Sequence, residues 1–253
     1  MFSRLTVYRT VRYMRSMNRH TAIIEKTARQ QDGLPGGSDF TPRQHEVLAA
    51  VLDLMVEEGD GFSLAKVCRR ASCSKETLYN WFGDRDGLLT ATVQWQASKV
   101  KMPGLDAAGV TAQTLRAALT AFAVSWLEVI TSDVSAALNR LAVSHAGLGA
   151  GSGGVSAKGR LGEIVLENGP LAMRRRLKPM FVAGEEAGLL AFDHCEMAIR
   201  TFFGLVVADW QIRKLLGEAT RPSATGVRQT AERAVEEFLL LYGAGELETD
   251  KHG

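Results

Sequence analysis

The stretch Phe62–Leu89, FSLAKVCRRASCSKETLYNWFGDRDGLL, constrains the fold of this chain more than any other. Ser63 can cap a short helix whose apolar side is Leu64, Val67, Cys68 and Ala71. Ala71–Cys73 then turns the chain, and Ser74 is an N-cap for a second helix, Lys75–Phe82, that Gly83 can end. In that second helix Leu78 and Phe82 lie four residues apart and face a small core. Lys75, Glu76, Tyr79 and Asn80 come out on the other side. A short helix that shows a cation, an amide and a phenol outward, braced by another helix across a sharp turn, is a helix-turn-helix.

The flanks supply the support such a unit needs. Thr41-Pro42 opens a helix with Thr as cap and Pro at the first position, and Val47, Leu48, Val51, Leu52 and Met55 form its stripe. Behind the unit, Asp84 caps a helix carrying Leu88, Leu89, Val93 and Val100, which Pro103-Gly104 should stop. Residues 41–102 are therefore expected to be a three-helix head with its connecting helix. Residues 1–40 carry seven Lys/Arg against Glu25, Asp32 and Asp39. They are read as a leader and linker without fixed structure, or as a basic arm that adds phosphate contacts. The first of these is the expectation.

Residues 103–243 read as helical throughout, with no strand-like alternation, so the fold class is all-α with a larger C-terminal helical domain. Leu115, Leu119, Phe122, Ala123, Trp126 and Ile130 form one stripe; Val134, Leu138, Leu141 and His145 form another. The glycine-rich segment Gly147–Gly154 is not a phosphate loop, because the flanks of Lys158 do not fit and no strand leads into it. Arg174, Arg175 and Arg176 are expected on a solvated surface, and Pro179 should bend or break its helix. Glu196–Leu216 is apolar on nearly every side and must be covered on both. Residues 244–253 are expected to be a tail without fixed structure.

The net charge of +2 is too small to announce nucleic-acid binding, so any DNA affinity must come from local placement of charge. Three cysteines, an odd number without a CxxC, point to a reducing, cytoplasmic setting with neither disulfides nor a metal site, and no cofactor is indicated. No apolar run approaches membrane-spanning length.

The run SKETLYNWFGDRDGLL resembles the signature of the TetR (tetracycline-repressor) family of bacterial transcription regulators. Ser74, Thr77, Leu78, Tyr79, Phe82, Leu88 and Leu89 match it as they stand. Trp81 replaces the usual His, Arg85 the usual Lys, and Ser72-Cys73 the frequent Gly-Val of the turn. Arg for Lys keeps a phosphate-binding charge. Ser72 matters only if the turn needs a positive φ.

The resemblance implies a ligand-responsive repressor that binds a palindromic double-stranded operator as a homodimer. Asn80 suits an adenine edge, and Lys75 a guanine or a phosphate. The resemblance puts Tyr79 and Arg85 on the DNA backbone, with Thr77 and Ser63 as further contacts; Ser74 is counted with them, and Arg43, near the start of its helix, is read either as a phosphate contact or as an ordinary solvated charge. It also implies an apolar effector pocket, for which Phe122, Trp126, Leu138, His145, Met173 and Phe181 are the candidates. Pairing of the last two helices across a two-fold axis would use Phe202, Val206, Trp210, Ile212, Val235, Phe238 and Tyr242. The rivals are an enzyme, against which the scattered histidines speak, and a helical interaction protein whose helix-turn-helix has lost DNA binding. Ser72, Glu76 and Trp81 are the residues that favour the latter.

Overall fold

Eleven α-helices and one turn of 3-10 helix follow one another among the residues that the computed structural model describes, 40–104, 109–146, 160–218 and 222–244. The one strand-like feature among them is an isolated bridge between Leu190 and Gly243. The fold is all-α. The expected leader, the glycine-rich segment and nearly all of the expected tail lie outside the described residues.

Helix α1 (Pro42–Glu58) starts in a capping box: the Thr41 hydroxyl accepts from the Gln44 amide while the Gln44 side chain accepts from the Thr41 amide. Its buried side carries Val47, Leu48, Val51, Leu54 and Met55. The turn Gly59–Gly61 leads into α2 (Leu64–Arg70), α3 (Lys75–Phe82) and α4 (Arg85–Ser98). These helices enclose Phe40, Phe62, Val67, Leu78, Phe82 and Leu89 in one apolar cluster. That cluster does not stop at the head. Leu138 and Leu141 of α6 (Asp133–Ala146) and Leu161 and Val165 of α7 (Arg160–Asn168) belong to it as well.

A second cluster is built by α5 (Ala112–Ile130), α8 (Pro170–Glu186), α9 (Cys195–Val207) and α11 (Ala224–Tyr242). At its centre Phe122, Phe181, Phe202 and Phe238 are all fully buried. The Phe181–Phe238 and Phe202–Phe238 ring centroids are each 5.2 Å apart, within the range of favourable aromatic pairs. Each such ring contributes about 1.5–3 kcal/mol through burial alone. The short α10 (Trp210–Leu215) is tied to α6, where Arg140 donates to the carbonyls of Lys214 (2.7 Å) and Leu215 (3.0 Å).

Helix α4 belongs to both clusters, with Leu88, Leu89 and Val93 in the first and Ala97 in the second. It is fastened along its length. Asp86 pairs with Arg160 of α7 at 3.0 Å, Gln94 donates to Asn168 at 3.0 Å, and Arg176 of α8 donates to the carbonyls of Ala97 (3.3 Å) and Val100 (3.0 Å). The last contact sits where α4 ends at Ser98, short of the expected stop at Pro103, and gives carbonyls at and just beyond the helix end a charged donor.

Several expectations are corrected here. The three adjacent arginines lie at the surface as expected, Arg175 and Arg176 exposed and Arg174 half-buried, but each has a specific contact. Arg176 caps α4, Arg175 pairs with Glu167 at 3.4 Å, and Arg174 lines a cavity. Pro179 does not break α8; its ring lies on the exposed side of a continuous helix. The run Glu196–Leu216 is two helices, because the chain turns at Ala208, whose φ is 41°. Phe202, Val206, Val235 and Phe238 are completely buried within the single chain, so none of these side chains can supply area to an interface with a second copy. Trp210 and Tyr242 are half-buried and Ile212 is exposed. The large apolar side chains of the last three helices and the residue after α10 that reach solvent are Met197, Ile212, Leu216, Leu240 and Leu241.

Candidate nucleic-acid interface

The turn between α2 and α3 sets the geometry of the head. Ser63 caps α2 by accepting from the Lys66 amide, and Ser74 caps α3 by accepting from the Thr77 amide at 3.0 Å. Between them the Ala71 amide donates to Val67 and the Cys73 amide to Cys68, which leaves Ser72 at φ 48°. This is the left-handed conformation for which glycine is the low-cost residue. The Arg43 guanidinium of α1 donates to the carbonyls of Ala71 and, at 3.1 Å, Ser72, and it also pairs with Glu46. Arg43, read from sequence as a phosphate contact or a solvated charge, is thus spent on holding the turn. Sequence reasoning missed this because the partner carbonyls lie 28 and 29 residues away.

Beyond the turn, Leu78 and Phe82 sink into the head cluster, 4% and 2% exposed. Lys75, Glu76, Tyr79 and Asn80 stand on the exposed face of α3, with Tyr79 retaining 49% of its surface. Thr77 is half-buried and its hydroxyl lies 2.9 Å from that of Ser74, so both hydroxyls are engaged in capping. Trp81, in place of the usual His, packs on the head cluster edge-on to Phe82 at 6.2 Å. Gly83, at φ 78°, ends α3. Asp84 then accepts from the Gly87 amide at 2.7 Å to start α4, and Arg85, half-buried, lies 6.0 Å from the Phe62 ring centroid. Gly87 is the structural residue that the sequence did not single out: a Cβ there would lie 1.9 Å from the Phe82 carbonyl oxygen.

Charge on the far side of the head is neutralised locally. Arg70 forms a two-pronged pair with Glu57, whose carboxyl is held below its usual range by the Arg70 hydrogen bond, and Lys66 pairs with Glu58 at 2.6 Å. Lys75 makes no ion pair among the described residues and shares the exposed face of α3 with a phenol and an amide. Cations, amides and phenols displayed on a short, rigidly capped helix are the groups that meet base edges and phosphates.

A cavity of about 360 Å³ opens against the other end of α4. It is lined by Gln96 and Ala97 of α4, Trp126 and Ile130 of α5, Leu138 of α6, and Phe203 of α9, among others. Of the six residues expected in a pocket, Trp126 and Leu138 line it. Phe122, Met173 and Phe181 do not, being enclosed in the second cluster, and His145 is buried at the end of α6 away from the cavity. The apolar stripes identified core residues, and the polar lining (Gln96, Ser135, Asn139, Arg174, Arg200, Gln211) went unseen because no helical periodicity marks it. The described residues contain no cluster of His, Cys, Asp and Glu able to hold a metal ion, and no single helix among them is long and apolar enough to cross a membrane.

Comparison with known proteins agrees with this architecture. Residues 117–244 match the family model described as the AefR-like transcriptional repressor, C-terminal domain. A TetR transcriptional regulator from Agrobacterium tumefaciens is 42% identical, with a TM-score of 0.66 over 81% of this chain and 96% of that one. A TetR-family regulator from Mesorhizobium loti (21% identity, TM-score 0.61, 79% and 96% covered) and the Flavonoid-responsive Regulator FrrA (23%, 0.58, 81% and 98%) share the fold. No curated protein sequence matches the chain. The helix-turn-helix geometry, the family match over half of the chain and the 42% identical relative lead to one conclusion: the chain belongs to the TetR family of transcriptional regulators, a family of non-enzymatic DNA-binding proteins.

Proposed function

We propose that this regulator is a ligand-responsive repressor that binds a palindromic operator as a homodimer in the cytoplasm. The observation that carries this reading is the exposed face of α3, where Tyr79, Asn80 and Lys75 project from a helix whose other side, Leu78 and Phe82, is locked into the head. In the proposed complex Asn80 reads an adenine edge and Lys75 a guanine or a phosphate, while Tyr79 and Arg85 hold the backbone. Ser63, Ser74 and Thr77 fix the starts of α2 and α3 and thereby hold the exposed face at its angle to the backbone.

Dimerisation is proposed through the exposed apolar side chains at the ends of α9, α10 and α11: Met197, Ile212, Leu216, Leu240 and Leu241. The Tyr242 hydroxyl lies 3.2 Å from that of Thr201, so the end of α11 sits beside the start of α9. Effector response is proposed through α4, which lines the cavity with Gln96 and Ala97 and carries Leu88 and Leu89 into the head cluster. An occupant that fits one setting of α4 better than another shifts the heads.

The test is selection of genomic fragments by the full chain, followed by binding at several salt concentrations. A DNA reader loses affinity steeply as salt rises. Recovered fragments should share a two-fold motif with half-sites about one helical turn apart. Asn80→Ala should relax one base position in each half-site, at a cost of about 1–3 kcal/mol of discrimination. Binding that is absent, or insensitive to both salt and Asn80→Ala, would leave a helical interaction protein as the better reading. Trp81 and Ser72 no longer speak for that alternative, since both have structural roles.

A further inference from the structure

The cavity beside α4 is lined by two arginines, Arg174 and Arg200, that make no ion pair with a described residue. The Trp126 side chain is 7% exposed, yet its buried indole Nε1 has no acceptor, and the buried Nε of Arg174 likewise has none. Such groups are rare in folded proteins, and each needs an explanation. The Trp126 ring cannot turn to find a partner. It stacks on Phe122 at 6.5 Å with 8° between planes and meets Phe203 at 5.4 Å and 65°, so its N–H direction is fixed.

Around these donors the field is positive. Arg174 and Arg200 line the cavity from two different helices, neither makes an ion pair with a described residue, and no acidic side chain is among the lining residues described. Helix α8 starts at the wall: Gly169 and Pro170 line the cavity, and no side chain caps the first turn of this helix. A helix N-terminus adds partial positive charge; the Gly169 amide itself is already donated to the Val165 carbonyl. The polar groups of the opposite wall are engaged with each other, Gln96 donating to the Ser135 hydroxyl at 3.1 Å and Asn139 to the Ser135 carbonyl at 2.7 Å. The remaining wall is apolar apart from Gln211, with Val129, Ile130, Leu138 and Phe203.

We propose that this cavity binds a small aromatic carboxylate. The ring lies against the apolar wall beside Trp126, and the carboxylate pairs with the Arg174 guanidinium, with Arg200 at the exposed edge. This rests on the reading of the cavity as the effector site but sets its ligand chemistry, replacing a purely apolar effector with an anionic one. An apolar ligand would leave the two lining guanidinium groups without a counter-charge, whereas a carboxylate accepts charge-assisted hydrogen bonds and neutralises the local charge.

Calorimetric titration of the full-length protein with benzoate, cinnamate and naphthoate, each paired with its neutral amide, tests this directly. At least one acid should bind about tenfold or more tightly than its amide, the ratio expected when a charge-assisted hydrogen bond is gained. Arg174→Met should erase that preference. Arg200→Met, at an exposed position, serves as the variant least able to disturb folding and should also narrow the ratio. If no acid outcompetes its amide, or if none binds, the proposal is overturned on the unmodified protein without recourse to variants. Operator binding measured in parallel separates the two readings. An acid that binds with charge preference but leaves operator affinity unchanged defeats the effector reading alone. A neutral amide that binds as well as its acid and releases the operator defeats the carboxylate alone.

Discussion

The guanidinium of Arg43, near the start of the first helix of the head, lies 3.1 Å from the carbonyl oxygen of Ser72, the residue on which the chain turns into the exposed helix α3. Together with the donation to Ala71, this places a cation where the end of α2 presents carbonyls without helical partners. The contact fastens the support helix to the turn and thereby fixes the angle at which Tyr79 and Asn80 are displayed. Arg43→Ala should cost about 1–2 kcal/mol of stability, in line with loss of hydrogen bonds to a charged donor. It should weaken binding to all DNA sequences without altering the preferred one. The slope of log affinity against log salt separates this role from a phosphate contact. A lost phosphate contact lowers the slope by about 1, whereas a turn-holding arginine leaves it unchanged.

Ser72 occupies φ 48°, where a Cβ is crowded against the carbonyl. Ser72→Gly should therefore stabilise the protein by about 0.5–1 kcal/mol in thermal unfolding, the relief of strain exceeding the extra freedom given to the unfolded chain. Ser72→Val should act in the opposite direction and by more, because β-branching adds to the clash. If glycine destabilises here as it does inside a helix, the turn is not under strain.

At Gly87 the constraint is contact rather than torsion. A methyl group in place of the hydrogen would sit 1.9 Å from the Phe82 oxygen, so backbone must move to admit alanine. Gly87→Ala should destabilise the head by about 2 kcal/mol or more, as overpacking does. It should also abolish operator binding before it unfolds the body, measurable as lost DNA affinity with retained tryptophan fluorescence from Trp126 and Trp210.

The parts legible in the sequence were those decided by neighbours in the chain. Thr41, Ser63, Ser74 and Asp84 cap helices through amides three residues ahead, so their roles could be read from local spacing. The inward turn of Leu78 and Phe82 followed from periodicity for the same reason. The partners of Arg43 and Arg176 could not be read because they lie far along the chain, and a long cation gives no hint of which carbonyl it will reach. Phe202, Val206, Val235 and Phe238 were assigned to a second copy because an all-round apolar helix demands cover. Periodicity cannot say that α5, α8 and α11 of the same chain supply it. The cavity was hidden because its distinctive residues are polar side chains at single positions on several helices.

Cys73 offers a pH test of the turn. Burial, with a smaller contribution from the neighbouring Cys68 thiol, pushes its thiol above the ordinary value of 9.0. The thiolate is the nucleophile, so iodoacetamide should label Cys73 in the folded protein several-fold more slowly than in the urea-unfolded chain at about pH 8. Because the raised value favours the protonated form in the folded state, stability from this group is present below about pH 9 and declines as pH rises above it. Arg43→Ala, by loosening the turn, should bring the folded labelling rate towards that of the unfolded chain.

Arg176 joins the body to the connecting helix. Its guanidinium, partly withdrawn from solvent and with its pKa lowered by that burial, donates to the Ala97 and Val100 carbonyls at the end of α4. Methionine can cover the same surface with its stem but cannot donate, so Arg176→Met removes the hydrogen bonds and keeps most of the packing. A loss of about 1–2 kcal/mol follows from the charged bonds alone. Hydrogen exchange locates the effect. Amides in the last turn of α4 should exchange faster in the variant, while those of α3, held by its own cap and by the Arg43 contact, should be unchanged. If protection falls equally in both helices, α4 transmits disorder through the whole head. The Arg176 contact is then a determinant of how the recognition face is held, and not only a fastening for the far end of the helix.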